Sequence, residues 1–551
     1  MATHSSILAW EVPWTEPGGL HSIGLVARVG HDLVTKTTKQ PLRVAIHREA
    51  PVVSAGARTG QQTQAVPPGA SLRPNIQKYK RSLAVLYFYT VNFLLFLQIR
   101  RLLKKKKDPN TKVVFFFFCI YSCVQKCQEG WKCKGGGGKT GNSVLSAPHP
   151  GTQLYHSLLC IVLQFLILRL MGRTITAVLT TFCVQMGYLL AGYYNTATGT
   201  YDIKWTMPHC VLTLKLIGLA MDYYDGGKDQ KSLTSEQQIY AIRGVPSLLE
   251  ISGFSYFYGA FLVGPQFSMN HYMKLVRGEL TDVPGKIPNS TIPALRRLAL
   301  GLVYLVGYTL LSPHITEDYL LSDDYENGSF WFRCMYMLIW GKFVLYKYVT
   351  CWLVTEGVCI LTGLGFNGLD EYGTAKWDAC ANMKVWLFET TPRFTGTIAS
   401  FNINTNAWVA RYFFKRLKFL GNKVLSQGLS LLFLALWHGL HSGYLVCFQM
   451  EFLIVIVERQ AASLIRDSPV LSRLASITVL QPLYYLAQQT IHWLFMGYSM
   501  TAFCLFTWDK WMKVYKSIYF LGHVFFLSLL FILPYVRKVM VPRKEKLKKM
   551  E

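Results

Sequence analysis

Two textures alternate along the chain. Residues 1–80 are polar, rich in Gly, Pro, Thr and Gln, with no sustained helical or strand period. Such a stretch buries too little apolar surface to form a core and reads as disordered. From Gln153 onward, long apolar runs recur between short polar or basic joints. A bilayer-crossing helix needs about 20 mostly apolar residues. Runs at 154–171 and 176–193, parted by Arg173, read as helical spans. So do 245–263, 294–311, 330–346, 349–366, 429–457, 477–505 (broken by Pro482) and 518–536, with a shorter run at 208–221. This predicts roughly nine to eleven spans after Gln153. Weaker apolar runs at 83–97 and 113–124 precede them, followed by a Gly-rich linker. No basic segment leads into an apolar one at the N-terminus, so no signal peptide is read there.

Composition narrows the class. Of 551 residues, 51% are hydrophobic and only 16% charged, against about 25% charged in soluble domains. Mean hydropathy is +0.24. The expectation is an all-α, polytopic membrane protein. Its organisation reads as an atypical N-terminus at 1–80, two weak apolar segments and a linker at 81–152, a membrane core at 153–536 and a basic tail at 537–551.

The formal net charge is +27, of which residues 1–150 carry +15 and the remainder +12. In a membrane chain, Lys and Arg mark cytosolic loops and anionic headgroups. Nucleic acid is therefore not the expected partner; bilayer lipids are. The chain ends Lys548-Lys549-Met550-Glu551. That spacing resembles a dilysine address read by coat proteins, and it predicts the endoplasmic reticulum with a cytosolic C-terminus. The 13 cysteines show no paired framework; Cys119, Cys123, Cys127 and Cys133 lack zinc-ribbon spacing.

Chemistry is most legible near Leu436-Trp437-His438-Gly439-Leu440-His441-Ser442-Gly443-Tyr444. In the run 429–457 Glu451 is the one acidic residue. Polar groups at membrane depth are costly and usually functional. The glycines thin the helix face and let a ligand or backbone approach. His438 and His441 lie three apart and so share a helix face. No carboxylate or Cys cluster joins them, so no metal is expected. Upstream stand Asn402, Asn404, Asn406 and Trp408. These amides read either as an Asx-rich cap or as donors and acceptors for a polar ligand. Arg411 and Lys415 follow, either as a cytosolic flank or as a site for a phosphorylated group.

Together these segments resemble the membrane-bound O-acyltransferase (MBOAT) family. Phe254-Ser255-Tyr256-Phe257-Tyr258, leading to Gly264-Pro265-Gln266-Phe267, adds to the resemblance, as do Met221 through Asp229 and Trp377 through Asn382. It runs from Gln153 to Glu551. Residues 1–150 depart from the family pattern, and Met1–Asp32 looks like a translated interspersed repeat. The resemblance implies a multi-helix bundle enclosing an intramembrane reaction chamber. It implies acyl transfer from acyl-CoA, a co-substrate, to the sn-2 hydroxyl of a lysophospholipid, with no cofactor. Phosphocholine acceptors are implied first, then phosphoethanolamine and phosphoserine, with polyunsaturated acyl chains preferred. His438 matches the family's catalytic histidine and Asn402 its partner asparagine. Asn402 either orients the imidazole or binds substrate. Asn404, Asn406, Trp408, Trp437, His441, Tyr256, Arg411 and Lys415 are the remaining substrate-binding candidates. A homodimer is compatible with this reading. Lining one cavity, His438 and Asn402 would serve each other's hydrogen-bonding needs. The competing readings are a protein-acylating family member, an inactive N-terminally altered variant, and a transporter, for which ionisable residues along the spans are too sparse.

Overall fold

The computed structural model describes residues 154–197 and 204–541. The expectations for 1–80, for the runs at 83–97 and 113–124 and for Lys548-Lys549 fall outside the described residues. Among the described residues the regular elements are helices. Extended pairing is limited to two isolated bridges, Leu369 with Ala375 and Met383 with Phe401.

Five of these helices are long and apolar enough to cross a membrane: Leu154–Met171, Ile175–Thr196, Thr291–Leu311, Phe330–Thr362 and Leu521–Met540. This is fewer than the nine to eleven spans expected, and several of the differences have a local cause. The runs at 330–346 and 349–366 are one helix, Phe330–Thr362. Lys347 between them is a good helix former and does not break it; its ammonium lies over the Tyr348 ring at 4.9 Å. Conversely, 245–263 holds only the short helix Leu248–Ser255, opened by a Ser247/Glu250 capping box. The run 429–457 is split into Lys423–His438 and Ser442–Asp467. Pro482 does not break its helix but begins it, sitting in the first turn of Gln481–Leu505.

Polar side chains join the apolar helices. Gln164 of Leu154–Met171 donates to Thr181 of Ile175–Thr196 at 3.2 Å, and Gln185 donates back to the Cys160 carbonyl at 3.2 Å. Such bonds hold helices together where the hydrophobic effect cannot. Helix Phe330–Thr362 runs through the interior, whereas Leu521–Met540 buries only Gly522 and Phe526.

Two apolar clusters frame the chemistry. One packs Phe433, Leu434 and Trp437 of Lys423–His438 with Leu214 and Ile217 of Thr206–Asp225 and Trp408 of helix Ile403–Tyr412. The other packs Leu345, Trp352 and Leu353 with Met383, Phe388 and Phe401.

Candidate active site

His438 is the last residue of helix Lys423–His438. Asn422 opens that helix, its side chain accepting from the N–H groups of Val424 and Leu425. The helix stops because Gly439 takes φ +148°, where a Cβ would meet the Tyr444 ring at 2.8 Å. The chain then docks on the end of Gln481–Leu505. The Gly443 N–H donates to the Phe506 carbonyl at 3.0 Å, and a Cβ on Gly443 would lie 2.1 Å from the Ala502 carbonyl oxygen. Both glycines are thus dictated by contact with backbone or ring. Trp437 fixes the other side. Its indole N–H donates to the Cys210 carbonyl at 2.8 Å, and its carbonyl accepts from the Tyr193 hydroxyl at 2.7 Å.

The His438 imidazole is half-buried in a cage of rings. Phe503 meets it edge-on at 5.0 Å between centroids, with Phe448 at 5.4 Å and Tyr444 at 5.9 Å. Among the described residues neither ring nitrogen has a hydrogen-bond partner. His441 sits at the N-cap of Ser442–Asp467 without making a cap bond, its ring against Phe506 at 4.8 Å. Among the described residues no three His, Cys, Asp or Glu side chains are grouped to hold a metal ion.

Asn402 is the N-cap of Ile403–Tyr412 in the left-handed region, φ +52°, without a side-chain cap bond. Asparagine tolerates that conformation better than other side chains with a Cβ. Its neighbour in space is Asn382, placed there by a short antiparallel clamp. The Ile403 N–H donates to the Asn382 carbonyl at 3.1 Å, and the Lys384 N–H to the Ser400 carbonyl at 2.9 Å. Amide orientations must be assigned from the bonds they make, and here backbone groups decide. The Asn404 N–H can only donate, and it reaches Asn382 Oδ1 at 2.9 Å. The other Asn382 atom is therefore the Nδ2 donor, and it meets Asn402 Oδ1 at 3.3 Å. Asn402 is thus left with its own Nδ2 donors to offer.

The expected hydrogen bond between His438 and Asn402 is absent. The acceptor of Asn402 is taken by Asn382, and the imidazole is ringed by aromatics.

The other candidates are mostly engaged. The Asn404 side chain donates to the Ala381 carbonyl at 2.9 Å. Asn406 donates to the Ile398 and Phe401 carbonyls at 2.9 and 3.0 Å, closing the end of helix Phe394–Ser400. Replacing Asn406 by alanine strips both carbonyls. The expected outcome is a stability loss of about 1–2 kcal/mol, read as a lower thermal midpoint in detergent, with kcat per folded molecule near wild type. A large kcat defect at equal stability would place Asn406 in the chemistry instead.

Trp408 and Trp437 are buried. Trp408 stacks on Phe433, and its indole N–H has no partner among the described residues. Tyr256 is buried in a separate core, its hydroxyl 2.8 Å from Ser157 Oγ. Arg411 and Lys415 both reach Glu236, at 3.2 and 2.6 Å. Burial raises the Glu236 carboxyl, but the hydrogen bonds and charges of Lys415 and Arg411 outweigh it and hold it below the usual carboxylate range. Two cations against one carboxylate leave one positive charge over.

Sequence reasoning missed the support beneath Asn402. The Glu356 Oε1 accepts from the N–H groups of Asn382 at 2.7 Å and Met383 at 2.9 Å. Arg297 pairs with Glu356 at 2.9 Å and donates to the Met383 carbonyl at 2.8 Å. A carboxylate inside the apolar run 349–366 was the available signal.

The model of the membrane-bound O-acyltransferase family matches residues 190–501. The chain is 89% identical over 401 residues to lysophospholipid acyltransferase 5 of Homo sapiens, covering 73% of this chain and 82% of that protein. Identity to the Mus musculus protein of the same name is 87% over 401 residues, with the same coverage. To the Drosophila melanogaster protein of that name it is 38% over 380 residues, 68% of this chain and 76% of that one. The motif around Trp437-His438-Gly439, the helical membrane architecture and these matches agree, and the chain belongs to the membrane-bound O-acyltransferase family.

Proposed function

We propose that the chain transfers an acyl group from acyl-CoA to the sn-2 hydroxyl of a lysophospholipid, lysophosphatidylcholine first among acceptors. The observation that carries the mechanism is the His438 imidazole, half-buried among rings with no hydrogen bond on either nitrogen among the described residues. The names of the 87–89% identical relatives support the substrate class.

An alcohol is a weak nucleophile, and a base must remove its proton as it attacks. Imidazole suits this task near neutral pH. In the proposed step His438 accepts the sn-2 hydroxyl proton while that oxygen bonds to the thioester carbonyl carbon. The C–S bond then breaks, and the leaving thiolate of CoA takes the proton from the imidazolium. Negative charge builds transiently on the carbonyl oxygen. The donors of Asn402 Nδ2 are suited to stabilise it, since Oδ1 is committed to Asn382. The surplus charge of Arg411 and Lys415 suits the phosphates of CoA or of the acceptor. Phosphoethanolamine and phosphoserine acceptors and polyunsaturated chains follow from the family resemblance.

The test is membranes expressing the full chain, assayed with radiolabelled acyl-CoA and lysophosphatidylcholine. Labelled phosphatidylcholine above vector-only membranes is expected. No labelled lipid from protein that is present and inserted would overturn the proposal. Label on a co-expressed peptide instead would favour a protein-acylating enzyme.

The proposal takes residues 153–536 as the acyltransferase core, and the family match over 190–501 supports the central part of that range. The enzyme is a multi-pass membrane protein, for which we propose the endoplasmic reticulum, a cytosolic basic tail at 537–551 and coat-protein retrieval through Lys548-Lys549. An antibody to the C-terminus should bind after the plasma membrane alone is permeabilised. Binding only after the luminal side is opened would reverse the orientation.

A further inference from the structure

Asn382 uses all of its polar groups, and each faces a different part of one framework. Its N–H donates to Glu356 Oε1 at 2.7 Å, and its carbonyl accepts from the Ile403 N–H at 3.1 Å. Its Oδ1 accepts from the Asn404 N–H at 2.9 Å, and its Nδ2 donates to Asn402 Oδ1 at 3.3 Å. Asn382 and Glu356 are each 1% exposed. A buried carboxylate is costly unless paired and hydrogen-bonded. Glu356 meets both conditions through Arg297 and two backbone N–H groups. Helices Thr291–Leu311 and Phe330–Thr362 thereby grip the bend at 381–383, and that bend grips Asn402.

A plain cap would explain the bond from Asn382 to the Asn404 N–H. It does not explain the bond to the Asn402 side chain, which satisfies no backbone group. That bond decides which end of the Asn402 amide is committed and which is free. We propose that Asn382 is a positioning residue for acyl transfer, holding Asn402 with its Nδ2 donors presented for reaction, and that Glu356 and Arg297 hold Asn382 in register. This rests on the reading of Asn402 as a participant in the reaction. Small displacements of reacting groups are costly: about 1 Å of misplacement can lower a rate about 10²-fold.

The discriminating substitution is Asn382→Asp. Its carboxylate still accepts from the Asn404 N–H but has no donor for Asn402. The Asn402 amide then turns its own Nδ2 toward the carboxylate and away from the reaction. Purified full-length variants in detergent would be compared for folded fraction, thermal midpoint, kcat, and KM for acyl-CoA and lysophosphatidylcholine. The expected result is kcat per folded molecule lowered about 10–10²-fold, with both KM values near wild type. In an Asn402→Ala background the same substitution should add almost nothing, because residues acting as a unit are non-additive.

A normal kcat for Asn382→Asp, or a full additional loss in the Asn402→Ala background, overturns the positioning role while leaving Asn402 in the mechanism. A loss of folded protein with unchanged kcat per folded molecule makes Asn382 purely structural and also overturns it. A fully active Asn402→Ala enzyme fails the underlying reading, and the positioning role with it. If Asn382→Asp yields no folded protein, Asn382→Ser carries the same expectations, since its hydroxyl can accept from the Asn404 N–H and is too short to reach Asn402.

Discussion

Replacing His438 by alanine is expected to lower kcat about 10²–10⁴-fold, the usual range for losing a general base. Protein yield and membrane insertion should stay near wild type. The structure explains why the two effects separate. Among the described residues the imidazole makes no hydrogen bond whose loss would strand a buried partner. The backbone around it is held independently, by Trp437 on Cys210 and Tyr193 and by Gly443 on Phe506. Its removal costs ring contacts with Phe503, Phe448 and Tyr444, not the shape of the break. Initial rates of labelled phosphatidylcholine formation, normalised to folded protein, supply the measurement. Retention of more than about a tenth of wild-type turnover would remove His438 from the role of base. His441→Ala should be milder, because that side chain makes no cap bond and lies against Phe506 and Tyr444. Equal losses would mean that the two histidines act together.

The helix break at this site was visible in the sequence only in part. The apolar run from 429 to 457 holds a single acidic residue, Glu451, and hydropathy does not register the short turn of Gly439, Leu440 and His441 inside it. Gly439 and Gly443 were the available signs, and their meaning depends on Tyr444, Ala502 and Phe506, the last two more than fifty residues away. Helix Leu154–Met171, by contrast, was legible with its bounds, since a mostly apolar run closed by Gly172 needs no distant partner. The merged helix Phe330–Thr362 and the short Leu248–Ser255 show the complementary failure. Apolar content tells burial from exposure, but one lysine or a few glycines decide continuity through local backbone preferences.

The same contrast holds within the site. His438 and Asn402 stood out because polar residues beside apolar runs are anomalous. Which way an amide points is not an anomaly of any kind. It follows from the Asn404 N–H meeting Asn382 Oδ1, across 22 residues of chain, and from the clamp that sets 382–384 beside 400–403. Of the two readings open at the sequence level, orientation of the imidazole or contact with substrate, the proposed mechanism adopts the second, with which that assignment agrees.

Substitution of Asn402 is the other large effect expected, and the choice of replacement separates chemistry from strain. At φ +52° an alanine carries a Cβ into the left-handed region, at a cost of about 1–2 kcal/mol. Asn402→Ala should therefore lose both turnover and stability, and alone it cannot apportion them. Asn402→Gly removes the side chain and relieves the backbone. Asn402→Asp keeps a residue that tolerates this conformation and keeps an acceptor for Asn382 Nδ2, while removing the N–H donors. All three variants should lose about 10²–10³-fold in kcat, the range seen when one oxyanion donor is removed. Asn402→Ala should show the lowest thermal midpoint in detergent, because it adds backbone strain to the loss of the Asn382 Nδ2 acceptor that Asn402→Gly shares, whereas Asn402→Asp keeps that acceptor. KM for lysophosphatidylcholine should change little, because a donor that acts on developing charge contributes mainly in the transition state. An aspartate variant retaining more than about a tenth of wild-type kcat would show that the reaction does not use the Asn402 N–H. An alanine variant that loses activity while glycine restores it would assign the residue to backbone geometry, and the oxyanion would then need another donor.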